Sequence, residues 1–364
     1  MTLIITGADV QRLLTMGECI EAMEIAFKDF ADGTAVNRPR VRYLAQHPEP
    51  DKRYWANVHV GASPTAGIAC VRAGSQIKYM GPSDGTRTSR NENPRPFNWG
   101  LVILYSIATA EPLALMHEFE LSGMRVGATT GAAVDHAAPK DASVLGLFGS
   151  GKQAHTALEA VAAVRPLQRV NVYSPSAEHR EAFAREFAHR NFEIVAVDDP
   201  RAAVAGAHVV CCATSSAVPV FEGAWLEDGQ MVVSIANSDV THKRHEVDPR
   251  TFERARTILI NDWESVTENN QTELLDLIED GTVDRGRVIE IGDLFTGARG
   301  LTDPEEGKDI VYYKNNSGLA IQFAAAGGII YKKALAEGGC KEIPTEWLGS
   351  DLSAYLEAGF HPSP

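Results

Sequence analysis

The chain has 364 residues, more than the ~250–300 at which single hydrophobic cores usually split, so two domains are expected. With 44% hydrophobic and 23% charged residues and no long low-complexity tract, it reads as a globular enzyme and not as a disordered or fibrous chain. A formal net charge of -14 repels phosphate backbones and anionic bilayers, so neither nucleic acid nor membrane is an expected partner, while a local basic pocket for a small anion stays compatible.

The opening MTLIITGADVQRLL lacks a basic flank and a cleavage site, and no apolar run reaches the ~18 residues of a membrane span. The five cysteines (Cys19, Cys70, Cys211, Cys212, Cys340) are scattered and form no C-x-x-C pair, which reads as reduced thiols in a cytoplasmic protein without a zinc site.

In chain order, residues 8 to 31 carry apolar side chains at helical spacing, with Gly33 as a stop. From Pro39 to about Leu115 short apolar runs such as GLVILYSI predict strands and long loops. The stretch 81 to 96, GPSDGTRTSRNENPRP, is a polar loop long enough to be functional, and its Arg87, Arg90 and Arg95 point to an additional acidic group on a ligand.

From about residue 143 the pattern alternates between strand and helix. ASVLGLFG, RVNVYS, FEIVAV and HVVCCAT read as strands; KQAHTALEAVAAV, AEHREAFAREFAHR and RAAVAGA read as the helices between them. MVVSIA and ARTILIN add two apolar runs. Near-continuous apolar strands separated by helices predict a parallel, doubly wound sheet. The tail from about 307 reads as helix and is expected to fold back on the N-terminal segment.

GLFGSGKQA, residues 146 to 154, admits two readings. As a triphosphate loop it needs a hydroxyl after the lysine, and Gln153 has none. As a dinucleotide turn, Gly149 supplies the tight bend, Gly151 lets backbone approach a pyrophosphate, and Ala154 lets the helix pack on its strand. The second reading places Gly149, Ser150, Gly151, Lys152 and Gln153 at the cofactor. The following strand ends at Ser174, where an NAD-specific site has a carboxylate. Ser174 with Arg180 favours NADP over NAD, although Arg180 reads equally well as a solvated helix residue. Thr214 and Ser215, after CCAT, fall beside the cofactor or serve as turn caps.

Four stretches resemble the ornithine cyclodeaminase and μ-crystallin family of NAD(P)-dependent enzymes. They are SGMRVGATTGAAVDHAAPKDASVLGLFGSGKQA (122 to 154), CATSSAVPVF (212 to 221), SIANSDVTHKRHEVD (234 to 248) and YYKNNSGLAIQ (312 to 322). The resemblance covers nearly the whole chain. It implies an α/β protein with a variant Rossmann dinucleotide-binding domain (126–306) and a discontinuous α+β substrate-binding and dimerisation domain from both chain ends (1–125 with 307–364). It further implies a homodimer and hydride chemistry at the Cα of an amino acid or its imine.

Carried over by residue, Arg40 and Arg125 match arginines that bind the carboxylate of a small-molecule substrate, work suited to a bidentate guanidinium. Arg72 stands where the family usually has a lysine. It can bind a carboxylate but is a poor acid or base, and nearby Lys78 does not match the spacing. Asp239 matches the aspartate that handles the nitrogen proton, the alternative being a loop or capping residue. Asn237 is placed at nicotinamide or substrate. His242, His245 and Glu246 read as solvated residues and not as a metal cluster, and HEFE (117 to 120) reads as local structure. Imine reduction, amino-acid oxidation and cyclodeamination with loss of ammonia all use this machinery. A non-catalytic NADP-dependent binding protein and a P-loop ATPase are the rival classes.

Overall fold

The computed structural model describes residues 1–80, 91–238, 244–301, 308–353 and 357. Two sheets organise the chain. The first runs, in spatial order, through strands Lys341–Ile343, Thr2–Ile5, Pro112–His117, Trp99–Ser106, Ile68–Tyr79, Lys52–Ser63 and Val36–Asn37, with Val41–Gln46 also paired to Lys52–Ser63. Its pairings are antiparallel except where Thr2–Ile5 lies parallel to Pro112–His117. One face is covered by helix Ala320–Glu337, and helix Met16–Ala31 packs against that helix, so both chain ends build this unit.

The second sheet is parallel throughout, in the order Glu193–Val197, Arg169–Tyr173, Val144–Phe148, Val209–Cys212, Met231–Ser234, Ile310–Lys314, Ala255–Ile260 and Val288–Glu290. Chain order reverses between Val144–Phe148 and Val209–Cys212, the switch point at which doubly wound sheets bind ligands. The central strands VVCC and MVVS are buried at every position, as a sheet covered on both faces requires.

Two expectations are corrected. The single helix over 8 to 31 is two, Gly7–Leu13 and Met16–Ala31, each opened by a capping box (Thr6 with Asp9, Thr15 with Glu18) that satisfies the first backbone donors and resets the helix axis. The helical tail expected from about 307 also begins later. Residues Ile310–Lys314 do not begin a helical tail but form a fully buried strand of the second sheet, because the β-branched and aromatic run IVYYK fits between Met231–Ser234 and Ala255–Ile260. The return to the first unit comes after Lys314, with helix Ala320–Glu337.

Candidate active site

Strand Val144–Phe148 delivers the glycine turn to the switch point. Gly149 has φ +110, and a Cβ there would collide with the carbonyl of Ala213, so only glycine makes this bend. Gly151 is the N-cap of helix Lys152–Val164, and no side chain caps that helix. Its first backbone N–H groups therefore face outward, and no atom lies within 4 Å of a Cβ added at Gly151. Uncapped amides at a helix N-terminus with an open approach fit the pyrophosphate of a dinucleotide. Gly149, Ser150 and Gly151 make up the turn that leads into this helix.

The other residues expected at the cofactor have mixed placements. Lys152 turns away: its Nζ sits 3.2 Å from the Phe119 ring centroid and donates to the Phe119 carbonyl, with Glu120 3.7 Å off. Gln153 lines the cavities described below. Arg180 Nη1 donates to the Ser174 carbonyl at 3.1 Å, which holds the guanidinium beside the end of strand Arg169–Tyr173. Thr214 lines the inner cavity, and Ser215 is exposed.

Beyond the turn lies a cavity of about 270 Å³ between the two sheets. Its floor comes from the carboxyl ends of the parallel strands, through Thr214, Ile235, Asn237 and Asn315. Its wall holds five arginines: Arg40, Arg42, Arg72, Arg125 and Arg244. Arg40, Arg72 and Arg125, predicted at substrate, are thus brought together. A neighbouring cavity of about 380 Å³ shares Arg72, Ser122 and Gln153 with it and includes Arg95 on its rim.

The arginines differ in their partners. Arg72 Nη2 donates to Glu118 Oε1 at 3.0 Å, and Asn98 donates to the same oxygen at 3.0 Å. Burial raises the Glu118 carboxyl, but the charge and hydrogen bond of Arg72 outweigh it and hold the group below its ordinary value. Arg125, on helix Glu118–Ala137, donates to the Gln322 amide oxygen at 3.0 Å and lies 5.2 Å from the Phe323 ring centroid. Arg40 donates to the Asn269 amide oxygen at 3.3 Å. Arg244 Nε donates to the Asn237 carbonyl at 2.9 Å. Burial, then neighbouring guanidiniums, push Arg40 and Arg125 down to about 9, so both remain charged at neutral pH. Lys78 donates to Asn91 and is pushed down to about 8, by burial first and then by Arg42 and Arg244.

Sequence reasoning passed over four residues that shape this site. His59 stands opposite Arg72 in the strand register, its Nδ1 3.5 Å from Arg72 Nη1. Burial and the surrounding arginines push it well below its ordinary value, so it is a neutral imidazole. Glu118 belongs to the site through Arg72, which corrects the reading of HEFE as local structure only. Glu246 is not solvated: it is fully buried, and its carboxylate accepts from Thr214 N and Oγ1 (both 2.6 Å), Ile235 N (2.9 Å) and Ala236 N (2.8 Å). It ties the ends of two central strands into one loop platform. Lys314 is buried, pairs with Glu273 at 2.6 Å and donates to Asn237 Oδ1.

Asn237 is held from both sides, since its amide also donates to the Ile235 carbonyl (3.0 Å) and the Asn315 carbonyl (2.8 Å). Asp239, His242, Arg87 and Arg90 lie outside the described residues. Among the described residues no group of three or more metal-ligating side chains occurs, and no helix is long and apolar enough to cross a membrane.

The comparisons agree with this architecture. The family model for the ornithine cyclodeaminase/mu-crystallin family matches residues 1–338. An uncharacterized cyclodeaminase, y4tK, of Sinorhizobium fredii is 28% identical over 336 residues, covering 91% of this chain and 95% of the relative. The structure of Thermococcus litoralis Delta(1)-pyrroline-2-carboxylate reductase in complex with NADH and L-proline superposes with a TM-score of 0.81 at 25% identity, over 94% of this chain and 100% of that one. An archaeal alanine dehydrogenase dimer with bound NAD gives 0.79 at 26% identity, over 94% and 99%. The order of the parallel strands, the glycine turn at their switch point and the match over most of the sequence make one statement: the chain belongs to the ornithine cyclodeaminase/mu-crystallin family.

Proposed function

We propose that the protein is an NAD(P)-dependent oxidoreductase acting on the C–N bond of a small amino acid or its imine. The observation that carries this reading is the arginine-walled cavity at the carboxyl ends of the parallel strands, next to an uncapped helix N-terminus. Gly149, Ser150 and Gly151 would hold the pyrophosphate, Thr214 and Asn237 would border the nicotinamide end, and Ser174 with Arg180 would face the adenosine ribose. When bound, the nucleotide supplies or accepts the hydride.

Arg40 and Arg125 grip the substrate carboxylate through charge-assisted hydrogen bonds and so fix Cα in place. Orientation of this kind removes on the order of 7–11 kcal/mol of a barrier in the best cases. The neutral His59 and the Arg72–Glu118 pair close the wall behind Cα and exclude water. Asp239, from sequence, handles the proton on nitrogen. Ser174 carries no charge to repel a 2′-phosphate and Arg180 is held next to it, which favours NADP over NAD.

Reduction of an imine fits better than cyclodeamination of a basic amino acid. The latter must recognise a distal ammonium, and among the described residues no carboxylate lines the inner cavity. A homodimer is also part of this proposal. Trp99, Leu101 and Val60 are exposed on one face of the first sheet, aligned by register with Ile103 and Val71, and a second copy would cover them. With its free cysteines buried or half-buried, the protein suits the reducing cytoplasm.

The test is direct. Fluorescence titration with NADH and NADPH is followed by NAD(P)H oxidation with 2-oxo acids plus ammonia and with cyclic imines. Nucleotide binding with imine-dependent oxidation is the expected result. Failure to bind either nucleotide at millimolar concentration overturns it.

A further inference from the structure

We infer that Gln322 is a positioning residue for Arg125: its amide fixes the guanidinium at the inner cavity without neutralising it, and Gly318 leaves the space that the guanidinium fills. This deepens the reading above and rests on it for the assignment of the substrate carboxylate to Arg125.

The hydrogen bonds determine which way the amide faces. Thr129 Oγ1 donates to the Arg125 carbonyl at 2.6 Å, and Gln322 Nε2 donates to that hydroxyl oxygen at 2.7 Å. With the hydroxyl proton spent on the carbonyl, the part of Gln322 that meets Thr129 must be its NH2 group, so Oε1 points the other way. There it accepts from Leu319 N at 2.8 Å and from Arg125 Nη1 at 3.0 Å. Thr129 and Gln322 thus close the backbone and the guanidinium of Arg125 into one buried ring. Among the described residues the Arg125 side chain makes no other hydrogen bond.

The chemistry of the holder matters as much as its position. Arg72, in the same cavity wall, is paired with the carboxylate of Glu118, which meets its charge. An amide oxygen accepts the same kind of N–H but carries no net charge, so Arg125 is held and still has its whole charge to offer a carboxylate. A planar guanidinium makes two parallel bonds to a carboxylate only when its plane is fixed, and an error of one ångström in such a grip can cost about a hundredfold in rate. Gly318 contributes to that fixing. A Cβ there would fall 2.5 Å from Nη1, 2.6 Å from Nη2 and 2.8 Å from Cζ of Arg125, so only a residue without a side chain lets the guanidinium lie against this stretch of cavity wall. The Phe323 ring adds a further contact, its centroid 5.2 Å from Cζ.

The competing role for Gln322 is that of a helix cap, since it accepts from Leu319 N at the start of helix Ala320–Glu337, and a cap changes stability alone. The experiment uses the full chain, with and without saturating NADH or NADPH. Calorimetric titrations compare pyrrole-2-carboxylate with pyrrole-2-carboxamide, which share a shape and differ in charge, and thermal melts accompany them. The unaltered protein is expected to bind the carboxylate at least tenfold tighter. Gln322→Leu removes the acceptor, and Gln322→Glu keeps an acceptor but neutralises Arg125. Gly318→Ala leaves Gln322 intact and displaces only the end of a flexible side chain, so it keeps the fold. Each variant should bring the preference for carboxylate over carboxamide towards one, while the two Gln322 variants hold NAD(P)H affinity within twofold. A preference lost in Arg125→Met but kept in all three variants, with only the melts altered, makes Gln322 a cap and overturns the inference alone. A preference absent from the unaltered protein, or kept in Arg125→Met, refutes the carboxylate assignment to Arg125 and the inference with it. None of these titrations needs turnover, so a protein that shows the expected pattern yet never oxidises NAD(P)H refutes the reductase reading alone.

Discussion

Arg72 and Glu118 form an ion pair at 3.0 Å with side chains 8% and 5% exposed, joining strand Ile68–Tyr79 to the first turn of helix Glu118–Ala137. Breaking one partner of a buried pair costs about 3–5 kcal/mol, because the remaining charge stays buried. Glu118→Gln should therefore lower stability by about 3 kcal/mol in urea unfolding. Arg72→Met combined with Glu118→Gln should recover most of that loss. An additive double variant would show that the pair is not coupled.

Gly149→Ala and Gly151→Ala should separate folding from nucleotide binding. The first places a methyl against the Ala213 carbonyl in left-handed backbone, so both stability and NAD(P)H affinity should fall. The second meets open space at the N-cap and should cost under about 1 kcal/mol, yet weaken nucleotide binding at least tenfold by filling the approach to the amides. Thermal melts beside fluorescence titrations read the two effects.

Glu246→Gln keeps the shape of a buried group but replaces one accepting oxygen by an amide donor facing other donors. A loss of about 1–3 kcal/mol is expected from the unsatisfied groups. Because Thr214 and Ala236 border the cavity, the KM for nucleotide should rise along with it. Unchanged nucleotide affinity would confine Glu246 to folding.

Ser174→Asp places a carboxylate at the end of strand Arg169–Tyr173, where it repels a 2′-phosphate and accepts from a 2′-hydroxyl. The ratio of NADPH to NADH affinity should drop at least tenfold. Arg180→Ala should lower the same ratio more modestly. Indifference of the ratio to both variants would place the ribose elsewhere.

The Lys314–Glu273 pair sets an acid limit. Burial raises the Glu273 carboxyl, but Lys314 and the hydrogen bonds from Ser238 outweigh it and hold the group at about 2, against an ordinary value of 4.5. Its folded value is the lower one, so its contribution is complete above pH 4.5 and lost as pH falls from there towards 2. Glu273→Gln should flatten the dependence of stability on pH in that window, as measured by urea midpoints from pH 6 to pH 3. A curve parallel to that of the unaltered chain would exclude the pair as the cause.

Much of this architecture was legible in the amino-acid order. The apolar strands around GLFGSGKQA could only be covered on both faces, and glycine at 149 and 151 marked the turn because other residues cannot take that bend or leave that approach open. The four buried polar groups were not legible, for a common reason. Glu246 sits in the charged run THKRHEVD, where composition argues for solvent, and its burial follows from donors brought to it by two strands more than ten residues away or at that limit. His59 faces Arg72 through cross-strand register, and Glu118 meets Arg72 across a helix start, neither of which local periodicity encodes. Ile310–Lys314 escaped because a five-residue apolar run is too short to distinguish strand from helix by pattern.

That late strand has a consequence for biosynthesis. Ile310–Lys314 occupies the slot between Met231–Ser234 and Ala255–Ile260, so as the ribosome extends the chain, Ala255–Ile260 emerges with no neighbour to dock on from the strands already made, and Val288–Glu290 can pair only with it. The nascent protein carries an open, apolar parallel edge until some fifty further residues beyond Ile260 have been translated. A stop codon shortly before residue 310 should therefore yield an aggregating product, not a smaller working one.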